Sequence, residues 1–483
     1  MSKNNVEKPD VTKYNKRTKI ITTIGPATNS AAAIQQLFIN GMTTVRLNFS
    51  HGDHEEQGAR IVWAKQVMEK IGKPISVMLD TKGPEIRVGK MLDDKQLIVK
   101  DSVVTVYTKI TDYQKKICGP SEMTVSYDMS KDLKPGNVIL VDDGKLQLDV
   151  ISVKPGVVET KAFNQHLLKT NKRINLPGIK FSLPFLSEKD INDITFGVKQ
   201  GIDYIAASFV NTAADVKQIR NLLKKLKAEN IEIISKIESQ VGIDNIDEII
   251  AASDGIMVAR GDLGLEIPYY DVPYWEKILI RKCRKAGKLV IVATQMLESM
   301  TDNPSPTRAE VTDVYFATEL GADATMLSGE SANGTYPLIA TSTMATINRR
   351  AEMEFYSKLY YEKQFQDAMN STTGPRAAIV KKLAQKCKTG DYEYAVVLSK
   401  TGELLKALSK FRPNTVILGV SSNEKLYTAF GCYHSIFMTK VDDYEKFIKS
   451  DEEISYIAQS YGAKIGSKIL FMRSEEIREI TIK

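Results

Sequence analysis

Between Ile233 and Gly264 one device occurs twice. The apolar run Ile233-Ile234 ends in Ser235-Lys236-Ile237-Glu238, and Ile256-Met257-Val258 ends in Ala259-Arg260-Gly261-Asp262. Two neighbouring buried strands would thus deliver a lysine, Lys236, and two carboxylates, Glu238 and Asp262, to their ends. Hard oxygen ligands beside a fixed ammonium suit Mg²⁺ carrying an anionic substrate such as a phosphoryl ester. Taken singly, each group has a plainer reading: Lys236 and Glu238 as a structural ion pair, Asp262 as a helix cap after Gly261, Asp80-Thr81 as a turn, and Ser328-Gly329-Glu330 as a helix start.

The elements that must position these groups follow a regular cadence. Short β-rich runs recur at Lys19 to Ile24, Thr43 to Asn48, Ile75 to Asp80, Tyr204 to Phe209, Glu232 to Ile237, Gly255 to Ala259, Leu289 to Ala293 and Ala324 to Leu327. Between them lie segments with helical periodicity, among them Ser30 to Asn40, Glu55 to Ile71, Ala213 to Glu229, Ser239 to Ala252 and Val272 to Ala286. Strand starts fall roughly 25 to 35 residues apart, the size of a βα unit. The exception is the gap between the third and fourth runs, where well over a hundred residues intervene. The spacing predicts an α/β protein built on a parallel (β/α)₈ TIM barrel over 1–83 and 174–350, with a small β-barrel lid domain inserted at 84–173. A helical stretch from Tyr336 to about Met369 then leads to Asn370–Pro375, after which a third unit, 351–483 in all, reads as an open α/β sheet.

In such a barrel the residues that close the strands meet at one mouth, and here the second to eighth runs all close on polar residues. They are Arg46 to Gly52, Asp80 to Arg87, Ser208, Lys236 with Glu238, Gly261 with Asp262, Thr294 with Gln295, and Ser328 to Glu330. Context therefore reverses the plainer readings.

The 483 residues carry 43% apolar side chains, a net charge of +7 and four dispersed cysteines. That composition favours small anionic partners, excludes a disulfide framework or zinc knuckle, and lacks an arginine-rich nucleic-acid tract. The polar start, Met1 to Lys19, and the absence of a membrane-length apolar run lead to an expectation of a cytoplasmic protein. His51 and His54 have metal-ligand spacing, but the Gly-Asp between them reads as a loop, and the runs Lys224-Lys225 and Lys381-Lys382 read as solvated helix faces.

Over most of its length the chain resembles pyruvate kinase. The resemblance rests on Thr22 to Ala27, Arg46 to Gly52, Asp80 to Arg87, Leu176-Pro177-Gly178, Leu186 to Asp190, Ser235 to Glu238, Ala259 to Gly264, Ala293 to Met300, Pro306 to Glu310 and Met326 to Glu330. It implies Mg²⁺- and K⁺-dependent phosphoryl transfer from phosphoenolpyruvate to ADP, giving pyruvate and ATP, by a homotetramer. Mn²⁺ could replace Mg²⁺. Glu238 and Asp262 would hold the divalent cation, while Lys236 and Arg46 would face the migrating phosphoryl group. Asn48, Ser50, Asp80 and Thr81 would bind K⁺, and Glu85 supports K⁺ dependence because members that do not need K⁺ tend to carry lysine there. Thr294, with Ser328 and Glu330 behind it, would relay a proton to the enolate. The backbone N–H groups of Gly261 and Asp262, with Thr294, would approach the substrate, and Arg87, Lys172 and the segment Asn48, Phe49, Ser50, His51 would meet the nucleotide as the lid closes, with Asp143 facing the cleft.

The likeness thins in two places. Ser399-Lys400-Thr401-Gly402 begins like an effector-phosphate loop but continues Glu403-Leu404, and no glycine-rich loop precedes the chain's end, which argues against activation by fructose bisphosphate while leaving other phosphate effectors open. In the lid, Arg173 stands where glycine is common. Two rival functions are a barrel lyase or aldolase acting on phosphoenolpyruvate or pyruvate, which would need no nucleotide lid, and a basic nucleic-acid binder suggested only by net charge.

Overall fold

Four of the eight central strands are apolar throughout or broken by a single polar residue, and nearly every strand residue is buried, as a sheet covered on both faces requires. In the computed structural model, which describes residues 14–179 and 183–483, these strands are β1 (Lys19–Thr23), β2 (Thr44–Asn48), β3 (Ser76–Asp80), β4 (Tyr204–Ala207), β5 (Glu232–Ile237), β6 (Gly255–Ala259), β7 (Leu289–Ala293) and β8 (Ala324–Leu327). All eight pair in parallel and close into a barrel, with β1 joined to β8. The first residues of the expected 1–83 segment, 1–13, lie outside the described residues.

Strand alternation divides the core. Ile21, Met78, Ile234, Met257, Ile291 and Met326 fill one set of buried positions, whereas Ile20, Val77, Ile233, Ile256, Val290 and Leu327 pack with the surrounding helices. Lys236 shares its face with Ile234, and Glu238 continues the same alternation past the strand's end. Helix starts are fixed by local chemistry: Ser187 with Asp190 and Thr307 with Glu310 form reciprocal caps. The expected helix from Ser239 to Ala252 is instead two, Gln240–Asp244 and Ile246–Ala252. It breaks at Asn245, whose side-chain amide donates to the Asn211 carbonyl at 2.9 Å. The expected stretch from Tyr336 likewise divides into Pro337–Phe355 and Leu359–Ser371.

Between β3 and β4 the chain builds a seven-stranded sheet in the order Ile86–Arg87, Arg173–Asn175, Val138–Val141, Leu146–Lys154, Val157–Ala162, Val103–Tyr107, Glu122–Thr124. Its edges meet, since Val88 bridges Val125 and Gly89 donates to the Thr124 carbonyl at 2.8 Å. Its apolar centre, including Val104, Val106, Ile139, Val141, Leu148 and Val158, is separate from that of the barrel. The two strands nearest the barrel, Ile86–Arg87 and Arg173–Asn175, pair with each other, so both chain crossings run through one two-stranded stalk.

The last body is a five-stranded sheet of β9 (Tyr394–Leu398), β10 (Val416–Ser421), β11 (Ile436–Lys440), β12 (Lys468–Arg473) and β13 (Glu476–Thr481), ordered β11-β10-β9-β12-β13. Only β13 is antiparallel. Among the described residues no helix is long and apolar enough to cross a membrane.

Candidate active site

The alternation that sends Ile234 inward also aims Lys236 at the mouth. Its ammonium lies 2.7 Å from Ser208 Oγ, 3.1 Å from Asp80 Oδ1 and 3.1 Å from Glu238 Oε1. From β2, Arg46 Nε donates to Asp80 Oδ2 at 2.7 Å, and its Nη1 donates to Thr23 Oγ1 at 2.8 Å. Two cations and two carboxylates therefore interleave, with Lys236 and Arg46 each only 8% exposed. Burial alone would raise the Asp80 carboxyl, but Arg46 and Lys236 outweigh it and hold it below the usual range. Burial would likewise lower the Lys236 ammonium, and Asp80 with Glu238 more than reverses this.

Glu238 is differently placed. Its Oε2 accepts the Phe209 N–H at 2.7 Å, while Oε1, though near Lys236, accepts no well-directed hydrogen bond. Burial first, then the neighbouring Asp262 carboxylate, pushes its carboxyl above the ordinary glutamate range. A buried carboxylate with an unused lone pair, facing a second carboxylate, is a donor set that a hard cation satisfies, so these residues fit a divalent metal. Lys236 reaches the Glu238 side of the pair, and the Asp262 side is reached by Arg173. Its Nη1 lies 2.5 Å from Asp262 Oδ1, its Nε 4.0 Å from Glu85, and its guanidinium stacks 4.7 Å over the Phe209 ring. Arg173 opens the second strand of the stalk, so this contact ties the inserted sheet to the end of β6.

A cleft of about 580 Å³ runs between the mouth and the inserted sheet. It brings together Arg46, Asn48, Ser50, His51, Asp80, Glu85, Arg87, Asp143, Lys172, Lys236, Glu238 and Asp262, each anticipated from sequence. Arg87 is held by Glu85 at 2.7 Å and donates to the Asn171 carbonyl at 3.0 Å. Lys172 pairs with Asp142 at 2.8 Å, and His166 meets the same carboxylate. Asn48 Oδ1 accepts the Ser50 N–H at 3.0 Å, and Thr81 Oγ1 accepts the Ser208 N–H at 3.0 Å. Each of these oxygens keeps a second lone pair.

Other expected residues lie behind this lining. Phe49 is 1% exposed and packs toward Phe196 and His54, so its side chain cannot contact a nucleotide in the cleft, and its backbone is engaged, the N–H donating to the Asp80 carbonyl at 3.0 Å and the carbonyl accepting from Lys189 at 2.9 Å. His54 is bound to Asp193 at 2.8 Å and stacked on Phe196, apart from any shared site with His51. Gly261 N–H, expected to approach substrate, donates to Thr294 Oγ1 at 2.7 Å, and that hydroxyl donates onward to the Ala293 carbonyl at 2.6 Å. Glu330 is fully buried and spends its carboxylate on the N–H groups of Leu297, at 3.0 Å, and Ser328, at 2.7 Å. It fixes the ends of β7 and β8 relative to each other, while Ser328 Oγ is buried without a hydrogen-bond partner. Thr294 and Gln295 hold left-handed backbone at φ of 68° and 52°, uncommon for residues with side chains and found where a loop is held by its surroundings.

In the last body, Ser399 Oγ accepts the Gly402 N–H at 3.0 Å, Thr401 Oγ1 receives the Glu403 N–H, and Lys400 rests 5.6 Å over the Tyr444 ring. The loop satisfies itself. Arg173, Ser208, Asp142 and Asn333, with Lys82, Asn171 and Phe209, complete the cleft without having been singled out as site residues. Ser208 was visible as a polar strand end, whereas nothing local marks Arg173 as the partner of a residue 89 positions away.

The chain is similar to known proteins over most of its length. The family model described as pyruvate kinase, barrel domain, matches residues 15–341. The pyruvate kinases of Mycoplasma pneumoniae and Mycoplasma genitalium are each 44% identical to the chain, over 458 and 468 residues, covering 88% of it and 90% of the relative. That of Clostridium acetobutylicum is 41% identical over 449 residues, covering 91% of both. With the barrel closed, Lys236 and the Glu238–Asp262 pair at its mouth, and this likeness over most of its length, the chain belongs to the pyruvate kinase family.

Proposed function

We propose that the chain transfers the phosphoryl group of phosphoenolpyruvate to ADP, producing pyruvate and ATP. The observation that carries this reading is the Lys236 ammonium, held between Asp80, Glu238 and Ser208 with Arg46 alongside. A loose transition state spreads negative charge over the equatorial oxygens, and a fixed ammonium beside a guanidinium stabilises that charge without reorganising.

Glu238 and Asp262 would hold Mg²⁺ or Mn²⁺, which when bound screens the anionic oxygens of the substrate. Asn48, Ser50, Asp80 and Thr81 supply the amide, hydroxyl and carboxylate oxygens for K⁺, with Glu85 at the edge of the set. On the nucleotide side, closure of the inserted sheet about its two-stranded stalk would carry Arg87 and Lys172 toward ADP and exclude water from the donor. Three bodies follow: 1–83 with 174–350 for chemistry, 84–173 as the lid, and 351–483 for regulation and assembly. For the enolate, Thr294, with Ser328 and Glu330 behind it, would relay a proton through water.

The test is a coupled assay with phosphoenolpyruvate and ADP, with and without Mg²⁺ and K⁺. ATP formed in step with pyruvate, and lost when either cation is withheld, is expected. Failure to make ATP from phosphoenolpyruvate and ADP would favour a barrel lyase or aldolase instead.

A further inference from the structure

Far from the mouth, the end of the helix Val272–Ala286 meets the helix Leu359–Ser371 around a cavity of about 280 Å³. Five cationic side chains line it: Arg281, Arg284, Lys285, Lys363 and Lys410. The one acidic side chain is Asp367. Arg281, Arg284 and Lys285 fall at helical spacing on one face. Cations in a last helical turn are ordinary partners for the helix dipole, but that explains solvated side chains, not a buried one.

Arg284 is the buried one, 4% exposed. Its Nη1 makes only long contacts, 3.3 Å to the Leu320 carbonyl and 3.4 Å to Tyr360 Oη, and its Nε has no acceptor. Among the described residues no carboxylate comes within ion-pairing distance of it; Asp323, whose field reaches it, is taken by Arg412 at 2.5 Å. The guanidinium lies over Phe355 and Tyr360, faces that help hold a cation without neutralising it. Burial accordingly lowers the affinity of Arg284 for its proton, to about 10, and burial also shifts Lys410 downward. Gln364 also presents a buried amide oxygen without a donor; with the amide turned over, an N–H would face the cavity. An uncompensated buried charge costs several kcal/mol unless something of opposite sign completes it.

We propose that this cavity binds a phosphate dianion, free or as the monoester of a small metabolite, with Arg284 at its floor and Lys363, Lys285, Arg281 and Lys410 around its rim. A planar guanidinium with free N–H groups matches phosphate oxygens, and the volume leaves room for a short carbon skeleton. The same helix carries Glu276, which holds Arg260 immediately before Gly261 and Asp262, so occupancy bears on the element beneath the mouth.

The test is calorimetric titration of the full-length protein with inorganic phosphate and, separately, with glycerol 3-phosphate. Each is repeated on Arg284→Gln, Lys363→Gln and Lys236→Met. The expected result is a binding component that survives Lys236→Met and weakens roughly tenfold in the other two variants, the size of a lost charge-assisted hydrogen bond. Tighter binding of the ester than of phosphate supports the metabolite source, and equal binding supports free phosphate. Lys363 is exposed, so its variant keeps the test alive if Arg284→Gln fails to fold. Unchanged phosphate binding in Lys363→Gln and in folded Arg284→Gln overturns the proposal. So does a change in sedimentation without a change in phosphate binding, which would assign the cavity to a carboxylate from a second copy of the chain.

Discussion

The barrel mouth and the Ser399–Gly402 turn both place hydroxyls and a lysine where a sheet strand ends, yet they differ in what is left over. At the mouth, Glu238 Oε1 and Ser328 Oγ are buried without hydrogen bonds, and Phe209, Thr294 and Gln295 hold left-handed backbone despite their side chains. In the turn, the Ser399 hydroxyl is spent on Gly402, the Thr401 hydroxyl receives Glu403, and the left-handed position is a glycine. Polarity alone therefore does not make a site. What distinguishes the mouth is cost retained by the fold, which a bound charge can relieve.

The largest expected effect comes from removing the mouth's central cation. Lys236→Met should lower the rate of ATP formation by at least roughly a thousandfold, about 4 kcal/mol of transition-state stabilisation. Arg46 still neutralises Asp80 in that variant, so circular dichroism should show a native fold. Turnover within tenfold of wild type would remove Lys236 from its role and erase the contrast with the turn.

Next is the scaffold beneath the mouth. Burial lifts the Glu276 carboxyl from 4.5 to about 7, Arg260 only partly opposing it, and Glu276 Oε1 has no hydrogen bond. The folded chain therefore binds a proton that the unfolded chain has released between pH 4.5 and 7. Stability falls as pH rises through that window, and the full cost is present above 7. A displacement of this size corresponds to about 3 kcal/mol. Glu276→Gln should flatten that slope in urea unfolding measured at pH 4.5 and pH 8; parallel slopes in both proteins would show that the retained cost lies elsewhere.

A smaller effect concerns the cation on the Asp262 side of the carboxylate pair. Arg173 reaches Asp262 from the inserted sheet, so it competes for the oxygens that would take a divalent ion. Arg173→Gly should tighten Mn²⁺ binding roughly tenfold, read by electron paramagnetic resonance of free Mn²⁺ without substrate. Equal or weaker binding would mean that Arg173 organises the pair instead of competing for it.

These cases also show where sequence was informative. The strands β5, β6, β7 and β8 run over the same residues as their expected spans, because consecutive buried apolar residues bounded by polar ones leave little freedom in where a strand ends. Lys236 and Glu238 could be placed on one face from their spacing alone. Arg173 could not, since its meaning depends on a contact across the stalk. Phe49 sits in a polar run and still turns inward, drawn by Phe196. The hairpin of β12 and β13 escaped notice because its turn, Ser474-Glu475, carries no glycine, and Ser474 takes left-handed backbone nonetheless. The break at Asn245 depends on a tertiary acceptor, the Asn211 carbonyl.

The smallest expected effect belongs to the turn. Thr401→Ala removes a hydroxyl whose one contact, the 3.5 Å approach of the Glu403 N–H, is at the limit of hydrogen bonding, on an exposed segment. Unfolding free energy should change by no more than about 0.5 kcal/mol, the range of surface substitutions that break no special feature. Phosphoenolpyruvate saturation curves with and without fructose bisphosphate should superimpose on those of wild type. A shift of half-saturation by the bisphosphate in wild type, abolished in Thr401→Ala, would show that the turn opens its internal hydrogen bonds for a ligand. The Glu403 side chain makes that opening unfavourable by setting a carboxylate beside the incoming phosphate, so Glu403→Ser paired with Thr401→Ala separates the two influences. If the turn is closed because its own groups satisfy it, neither change confers bisphosphate sensitivity; if Glu403 alone keeps phosphate out, Glu403→Ser confers it and Thr401→Ala removes it again.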